Sequence, residues 1–269
     1  MIATDSPAGA VGFEALAPEY DQTFGAAGIG ARFRARAQER LGAVFSPGQR
    51  VLELNSGTGE DAVWLASRGL RVLATDGSPA MLAEAQRKIA AAGAGDRIDT
   101  LLLPIEAIRA LNGHGPFDGA ISNFGGLNCV ADLSQVARDL AGLIRPGGRL
   151  ALGVMGPLAA WEWAWFPAHG QPGRAFRRLT RGGAPWRGLT IRYPSAPRLR
   201  GLFQPWFETR RISALGALVP GTYAEPWAAR HPRALAALDR MDRAVAALPP
   251  AWLLADHYLI ELVRRAEDP

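Results

Sequence analysis

A chain of 269 residues, 48% of them hydrophobic, is long enough to bury a sizeable α/β core and still carry an insertion. Its formal charge of +5 is modest for that length, and Lys88 is the one lysine among 30 basic residues, a skew that fits coding bias better than selection for phosphate binding. The single cysteine, Cys129, excludes an internal disulfide and a cysteine-rich metal site, and it fits a reducing, cytoplasmic setting. No apolar run reaches the length needed to span a bilayer. The first residues, with Asp5 and no basic residue before a short Ala/Gly stretch, do not read as a secretory leader.

Residues 1–12 are small and unpatterned, as in a mobile tail. The segment 16–24, which contains Tyr20-Asp21 and Phe24, leads into an arginine-rich helix predicted over residues 31–44. Ser46-Pro47-Gly48 is a turn, and a buried strand follows from Val51. That strand runs through Leu52-Glu53-Leu54 into the turn Asn55-Ser56-Gly57-Thr58-Gly59, which opens a helix over residues 61–68. Two glycines one residue apart let the backbone turn sharply and approach a ligand with no Cβ in the way. The helix behind them turns free N–H groups and a positive dipole end toward the bend.

The next apolar run, residues 70–75, ends in Asp76. An acidic residue at the carboxyl end of the neighbouring parallel strand, about 20 residues on, is where such folds hold a ribose by its hydroxyls. A nucleoside-containing cofactor is therefore expected. Gly57-x-Gly59-x-x-Ala62 also satisfies the loose dinucleotide fingerprint, a weak pattern by itself. Glu53, just before the turn, argues against it, because a carboxylate there repels a pyrophosphate and tolerates a cation.

Gly77-Ser78-Pro79 follows, with Ser78 as N-cap and Pro79 as first helical residue of a helix over 79–92. Met81, Leu82, Ala85 and Ile89 recur in it at helical spacing. A third strand is expected over 98–103, with Pro104-Ile105-Glu106 at its carboxyl edge. The fourth, over 117–122, ends at Asn123-Phe124-Gly125-Gly126-Leu127-Asn128. A helix over 132–143, the turn Arg145-Pro146-Gly147-Gly148 and a fifth strand over 149–154 follow.

Residues 155–206 stand apart: Trp161, Trp163, Trp165 and Phe166 crowd one short apolar helix, then come His169 and a basic run of Arg174, Arg177, Arg178 and Arg181. Trp161 and Trp165 share a helix face. A strand over 188–193 and a helix over 197–203 close this segment. A sixth strand over 210–215, a loop through Tyr223, a helix over 231–247 and a last strand over 255–264 complete the chain. His257 in that strand reads as structural.

Residues 53–59, Asp76, 117–123 and 145–150, in that order, resemble the motifs of class I S-adenosylmethionine (SAM) methyltransferases over roughly residues 15–155. The resemblance implies a single α/β domain over 1–269. Its sheet would be doubly wound, Rossmann-like and seven-stranded, the last strand antiparallel and helices on both faces. An N-terminal flap near 13–45 and a lid insertion near 155–206 complete the implied architecture. The family carries glycine where this chain has Asn55, and asparagine tolerates left-handed angles. A conformational role for Asn55 and a hydrogen bond to the cofactor both stand.

The implied cofactor residues are Tyr20, Glu53, Asn55, Ser56, Gly57, Gly59, Asp76, Gly77, Met81, Ile105, Glu106, Asn123 and Phe124, with S-adenosylhomocysteine as product. Tyr20, Asn128, Trp161, Trp165 and Tyr223 are the substrate-side candidates. Bland roles stand beside them: an aromatic staple for Tyr20, core packing for Met81, a helix-terminal charge for Glu106 and lid anchoring or a subunit contact for the tryptophans. One of Arg32, Arg34 and Arg36 would reach the cofactor carboxylate, the others being solvated. His169 is the one histidine offered as a base, and no metal is expected. The segment at Asn123 lacks the Pro-Pro-aromatic pattern with which nucleic-acid methyltransferases grip a base, so a small molecule, apolar or aromatic, is the expected acceptor. A monomer or homodimer is expected, and the runner-up is a SAM-fold protein that binds cofactor without methylating.

Overall fold

The computed structural model describes residues 12–21 and 28–267. Phe24 and the tail before Gly12 lie outside these. Helix α1 (Gly28–Val44) precedes strand β1 (Arg50–Leu54), and then α2 (Glu60–Ser67), β2 (Arg71–Asp76), α3 (Pro79–Ala91) and β3 (Ile98–Leu102) alternate. Strand β4 (Phe117–Ser122), α4 (Leu133–Leu143) and β5 (Ile144–Met155) continue the alternation. The cap chemistry read from sequence is in place: Ser78 Oγ accepts from the Met81 amide at 3.2 Å, and Asp132 Oδ1 accepts from Ser134 and Gln135.

The sheet has seven strands in the order β3-β2-β1-β4-β5-β9-β8. Strands β1 to β5 pair in parallel, whereas β9 (His257–Arg264) runs antiparallel to both β5 and β8 (Phe207–Leu215). The expected seven-stranded sheet with its last strand reversed is therefore present. Alternation along the strands sorts the core into two layers. Leu52, Leu54, Leu150 and Leu152 face α4, whose Val136 and Leu140 are buried. Val51, Val72, Ile121 and Ala151 face α1, α2 and α3. Each fully buried leucine contributes about 2 kcal/mol by leaving water, so this layering fixes the sheet's carboxyl edge.

Between β5 and β8 lie α5 (Ala160–Ala168), the short α6 (Pro172–Ala175), a hairpin of β6 (Ala184–Trp186) with β7 (Leu189–Ile191), and α7 (Ala196–Phe203). The strand expected over 188–193 is thus half of a hairpin, closed by Arg187 at φ 46° and Gly188. Helix α7 sends Ala196, Leu199 and Phe203 into the main core, so the insertion's last part is framework. After β8 come α8 (Glu225–Arg230), α9 (Pro232–Val245) and α10 (Pro249–Leu254). Helices α8 and α10 fall where only loop was expected; each is a single proline-led turn or two, too short for periodicity to register.

Candidate active site

Beyond Leu54 the backbone turns through Asn55 at φ 53°, Gly57 at φ 56° and Gly59 at φ 77°. Asn55 thus adopts the left-handed angle its side chain tolerates. The two glycines serve different ends. A Cβ on Gly57 would meet nothing within 4 Å, whereas one on Gly59 would lie 2.9 Å from the Cβ of Ala85 in α3. Gly57 keeps its surface open toward a ligand, and Gly59 lets two elements close.

Asp76 ties the turn to the next strand. Its Oδ2 accepts from the Gly57 amide and its Oδ1 from the Ser78 amide, both at 2.8 Å. Burial raises the Asp76 carboxyl, and those amides, with that of Gly77, pull the other way. Above the turn lies a cavity of about 450 Å³, within the size range of small-molecule sites. Tyr20, Asn55, Gly57, Asp76, Gly77, Met81, Ile105, Glu106, Asn123 and Phe124 all line it. Of the thirteen expected cofactor residues only Glu53, Ser56 and Gly59 do not.

Glu53 lies outside that lining. It is 4% exposed, behind the turn, and its Oε2 meets no partner. Burial, then the Asp61 and Asp76 charges, push its carboxyl well above the usual carboxylate range, against the pull of Arg34. Asn55 Oδ1 and Ser56 Oγ are also buried and without partners. Ser56 lies at the start of the turn, its amide bonded to the Thr75 carbonyl at 2.9 Å. The unpartnered Glu53 and Asn55 oxygens suit a ligand bearing N–H donors and a positive charge. A pyrophosphate, which brings no donor, would leave the Asn55 oxygen unpaired.

Asp61, at the start of α2, was not singled out from sequence, yet it organises this edge. Its carboxylate accepts from Arg34 at 3.3 Å, Gln38 at 3.2 Å and Asn123 at 2.9 Å. Arg34 also lies 4.9 Å over the Phe124 ring. The neighbouring arginines are not solvated as expected: Arg36 is buried on Asp242, and Arg32 pairs with Asp239 at 3.4 Å. The alternate positions of α1 thus fasten it to α9.

The N-terminal segment closes over the turn. Thr58 donates to Asp21 at 2.6 Å, Ser78 donates to Glu14 at 3.0 Å, and Lys88 pairs with Asp21 and Glu60. Phe13 packs on Trp186 of the β6–β7 hairpin, 5.2 Å between ring centres. Burial pushes the Tyr20 phenol up to about 12.

A second cavity, of about 250 Å³, adjoins the first. Phe13, Tyr20, Phe124 and Cys129 line both. Its far wall carries Phe33, Trp186, Tyr193 and Tyr223, and its polar end holds Glu162, Arg177, Arg178, Asp256 and His257. Arg178 is 6% exposed and donates to Glu162 Oε1 at 2.8 and 3.0 Å, to the Gly156 and Asp256 carbonyls, and to the Asp256 carboxylate. Arg177 takes the other side of the fully buried Glu162, at 2.7 and 3.1 Å. Though burial favours its neutral form, Arg178 and then His257 hold the Asp256 carboxyl far below the usual range. These two arginines of the basic run are thus committed to buried carboxylates.

Several substrate-side expectations are corrected. Asn128 is fully buried and lines neither cavity; its amide ties β5 to the hairpin, donating to the Met155 and Arg192 carbonyls and accepting from the Met155 amide. Trp161 and Trp165 line neither cavity. Trp165 joins the cluster of Ile29, Phe33 and Leu215 and stacks on His169 at 4.2 Å. His169 is itself exposed, its Nδ1 beside the Trp165 carbonyl, and lines neither cavity. Tyr20 and Tyr223 do line the second cavity, as Tyr20 does the first. His257, dismissed from sequence as structural, faces it too. No group of three or more His, Cys, Asp or Glu among the described residues could hold a metal ion.

Residues 51–148 match the family model described as a methyltransferase domain, which takes in the turn, Asp76, Glu106 and Asn123. Over those residues the chain is similar to a methyltransferase domain. A demethylmenaquinone methyltransferase of Beutenbergia cavernae is 34% identical to the chain over 161 residues, 58% of this chain and 60% of that protein. The chain thus spans about three fifths of the length of that relative. The methyltransferase fold recurs in the [4+2]-cyclase SpnF, with a TM-score of 0.63 at 18% identity over 98% of this chain and 97% of that one. It recurs also in a SAM-dependent methyltransferase from Geobacter sulfurreducens in complex with S-adenosyl-L-homocysteine, with a TM-score of 0.51 at 19% identity over 92% and 96%. No helix among the described residues is long and apolar enough to cross a membrane.

Proposed function

We propose that the chain is a SAM-dependent methyltransferase acting on O, N or C of a small, apolar or aromatic metabolite. The observation that carries this reading is the larger cavity: a Cβ-free turn and Asp76 at its floor, with the unpartnered Asn55 Oδ1 in its wall. Asp76 would take the ribose hydroxyls, Glu53 and Asn55 the amino-acid portion, and Met81, Ile105 and Glu106 the adenine. Bound there, SAM supplies an electrophilic methyl group on a sulfonium. The protein's part is alignment and exclusion of water. Phe13 and Tyr20 cover the turn, and Phe124 sets the passage between the two cavities. Residues 184–191 form the other side of the cover, in keeping with a lid near 155–206.

The acceptor would occupy the smaller cavity, whose aromatic wall and modest volume suit a small ring system over a polymer. No nucleic-acid partner is proposed, and the enzyme would work in the cytoplasm as a monomer or homodimer. Transfer of labelled methyl from SAM to a metabolite extract tests the reading. Label in an organic-soluble small molecule is the expected result; tight SAM binding with no transfer to any metabolite would favour a non-methylating role.

A further inference from the structure

At the polar end of the smaller cavity, His257 begins β9 with its ring edge-on to Phe33 and Phe124, centroids 6.2 and 6.0 Å away. Phe124 also lines the larger cavity, so one aromatic ring separates the imidazole from the proposed donor site. His257 Nδ1 lies 2.8 Å from Asp256 Oδ2. Nδ1 makes no hydrogen bond, so the carboxylate acts on the ring by proximity and charge. Asp256 is itself fixed, its other oxygen held by Arg178. A carboxylate beside Nδ1 leaves Nε2 as the nitrogen that takes a proton.

The charges around this end cancel. Glu162 and Asp256 face Arg177 and Arg178, and Arg34 is paired with Asp61. Tyr20, Tyr193 and Tyr223 are the other titratable groups on the cavity wall, with the Cys129 thiol, pushed up to about 11 by burial. No surplus cation remains for a carboxylate or phosphate ester, and no surplus anion for an ammonium. A neutral acceptor fits, one with a proton to lose.

We propose that His257, oriented by Asp256, is the general base of this enzyme and that its acceptor is an aromatic or enolic hydroxyl. The proposal rests on the reading that SAM occupies the larger cavity. As the acceptor oxygen's lone pair forms the new O–CH₃ bond, its proton passes to His257 Nε2. The methyl carbon's old bond to sulfur breaks with its electron pair kept on sulfur, and the imidazolium later gives its proton to solvent. Each turnover releases one proton and needs no further reactant.

The probe is 4-nitrophenol, added to the complex with S-adenosylhomocysteine, with the phenolate absorption band followed against pH. Calorimetry with S-adenosylhomocysteine comes first, because a wild type that fails to bind it refutes the cofactor reading and not the base. With that binding present, wild type should ionise the bound phenol about one pH unit below its value in solution. His257→Gln, with His257→Asn as a second variant, should bind the cofactor product within about 2-fold of wild type and lose the shift. In turnover of the same phenol below its solution pKa, kcat should fall by about 10-fold with KM little changed. No shift in wild type, or the same shift in a variant that still binds S-adenosylhomocysteine, overturns the assignment.

Discussion

The amide of Gly57 donates to Asp76 Oδ2 at 2.8 Å, so the floor of the glycine turn hangs on the carboxylate that ends the adjoining strand. Asp76 therefore has two tasks, shaping the turn and presenting an oxygen to the ribose. Asp76→Ala should weaken SAM binding by about 1–3 kcal/mol, the cost of lost hydrogen bonds to a charged group. Asp76→Asn should recover part of the affinity. Calorimetry on both variants checks this, and unchanged affinity in Asp76→Ala would remove the ribose assignment.

The two glycines of the turn should fail in different ways. Gly57→Ala places a methyl in open space at a left-handed angle, at a strain of about 1–2 kcal/mol, and should fold but lose the cofactor. Gly59→Val drives its side chain against Ala85 and should lower thermal stability outright. Denaturation and cofactor titration on the same two preparations separate them.

Glu53 links cofactor binding to pH. Its carboxyl titrates high in the free protein, chiefly through burial. A cation seated beside it favours the carboxylate, so the value falls on binding and a proton is released. Affinity should accordingly rise with pH between the lowered and the raised value, and calorimetry in buffers of different ionisation enthalpy should count the proton. The sign for stability is opposite. A carboxyl raised on folding contributes stability that is complete below its unfolded value and is lost as pH rises through its folded one. Glu53→Gln should remove that loss, raise the apo melting temperature at neutral pH and weaken SAM binding.

The Glu162–Arg178–Asp256 cluster pins α5 to the start of β9. Arg178→Ala leaves the buried Asp256 carboxylate without its guanidinium and Glu162 with Arg177 alone, and should cost about 3–5 kcal/mol. Arg178→Met, with Glu162→Gln and Asp256→Asn in the same chain, should recover much of that stability. Urea denaturation of the two variants makes the comparison.

Much of this site was legible in the sequence because its parts are local. Strand, bend and helix follow one another from Val51, and Asn55 at a turn predicts its own φ. Asp76 falls where the second parallel strand must end. What was not legible depends on contacts between distant residues. Arg178 and Asp256 are 78 positions apart, and Arg34 and Asp61 meet across two elements, so no periodicity joins them. The tryptophans misled for a related reason. A crowded aromatic helix reads alike whether it faces a ligand or a core, and Trp165 faces the core beside Phe33. His257 looked inert because a strand alternates, and only the strand's first residue reaches the cavity.

The most direct test is a calorimetric titration of the full chain with S-adenosylhomocysteine and, separately, with NADH. One-to-one binding of S-adenosylhomocysteine is expected, abolished in Gly57→Val, with no heat from NADH. Saturable NADH binding at the turn, or no binding of S-adenosylhomocysteine by folded wild-type protein, would contradict the cofactor assignment.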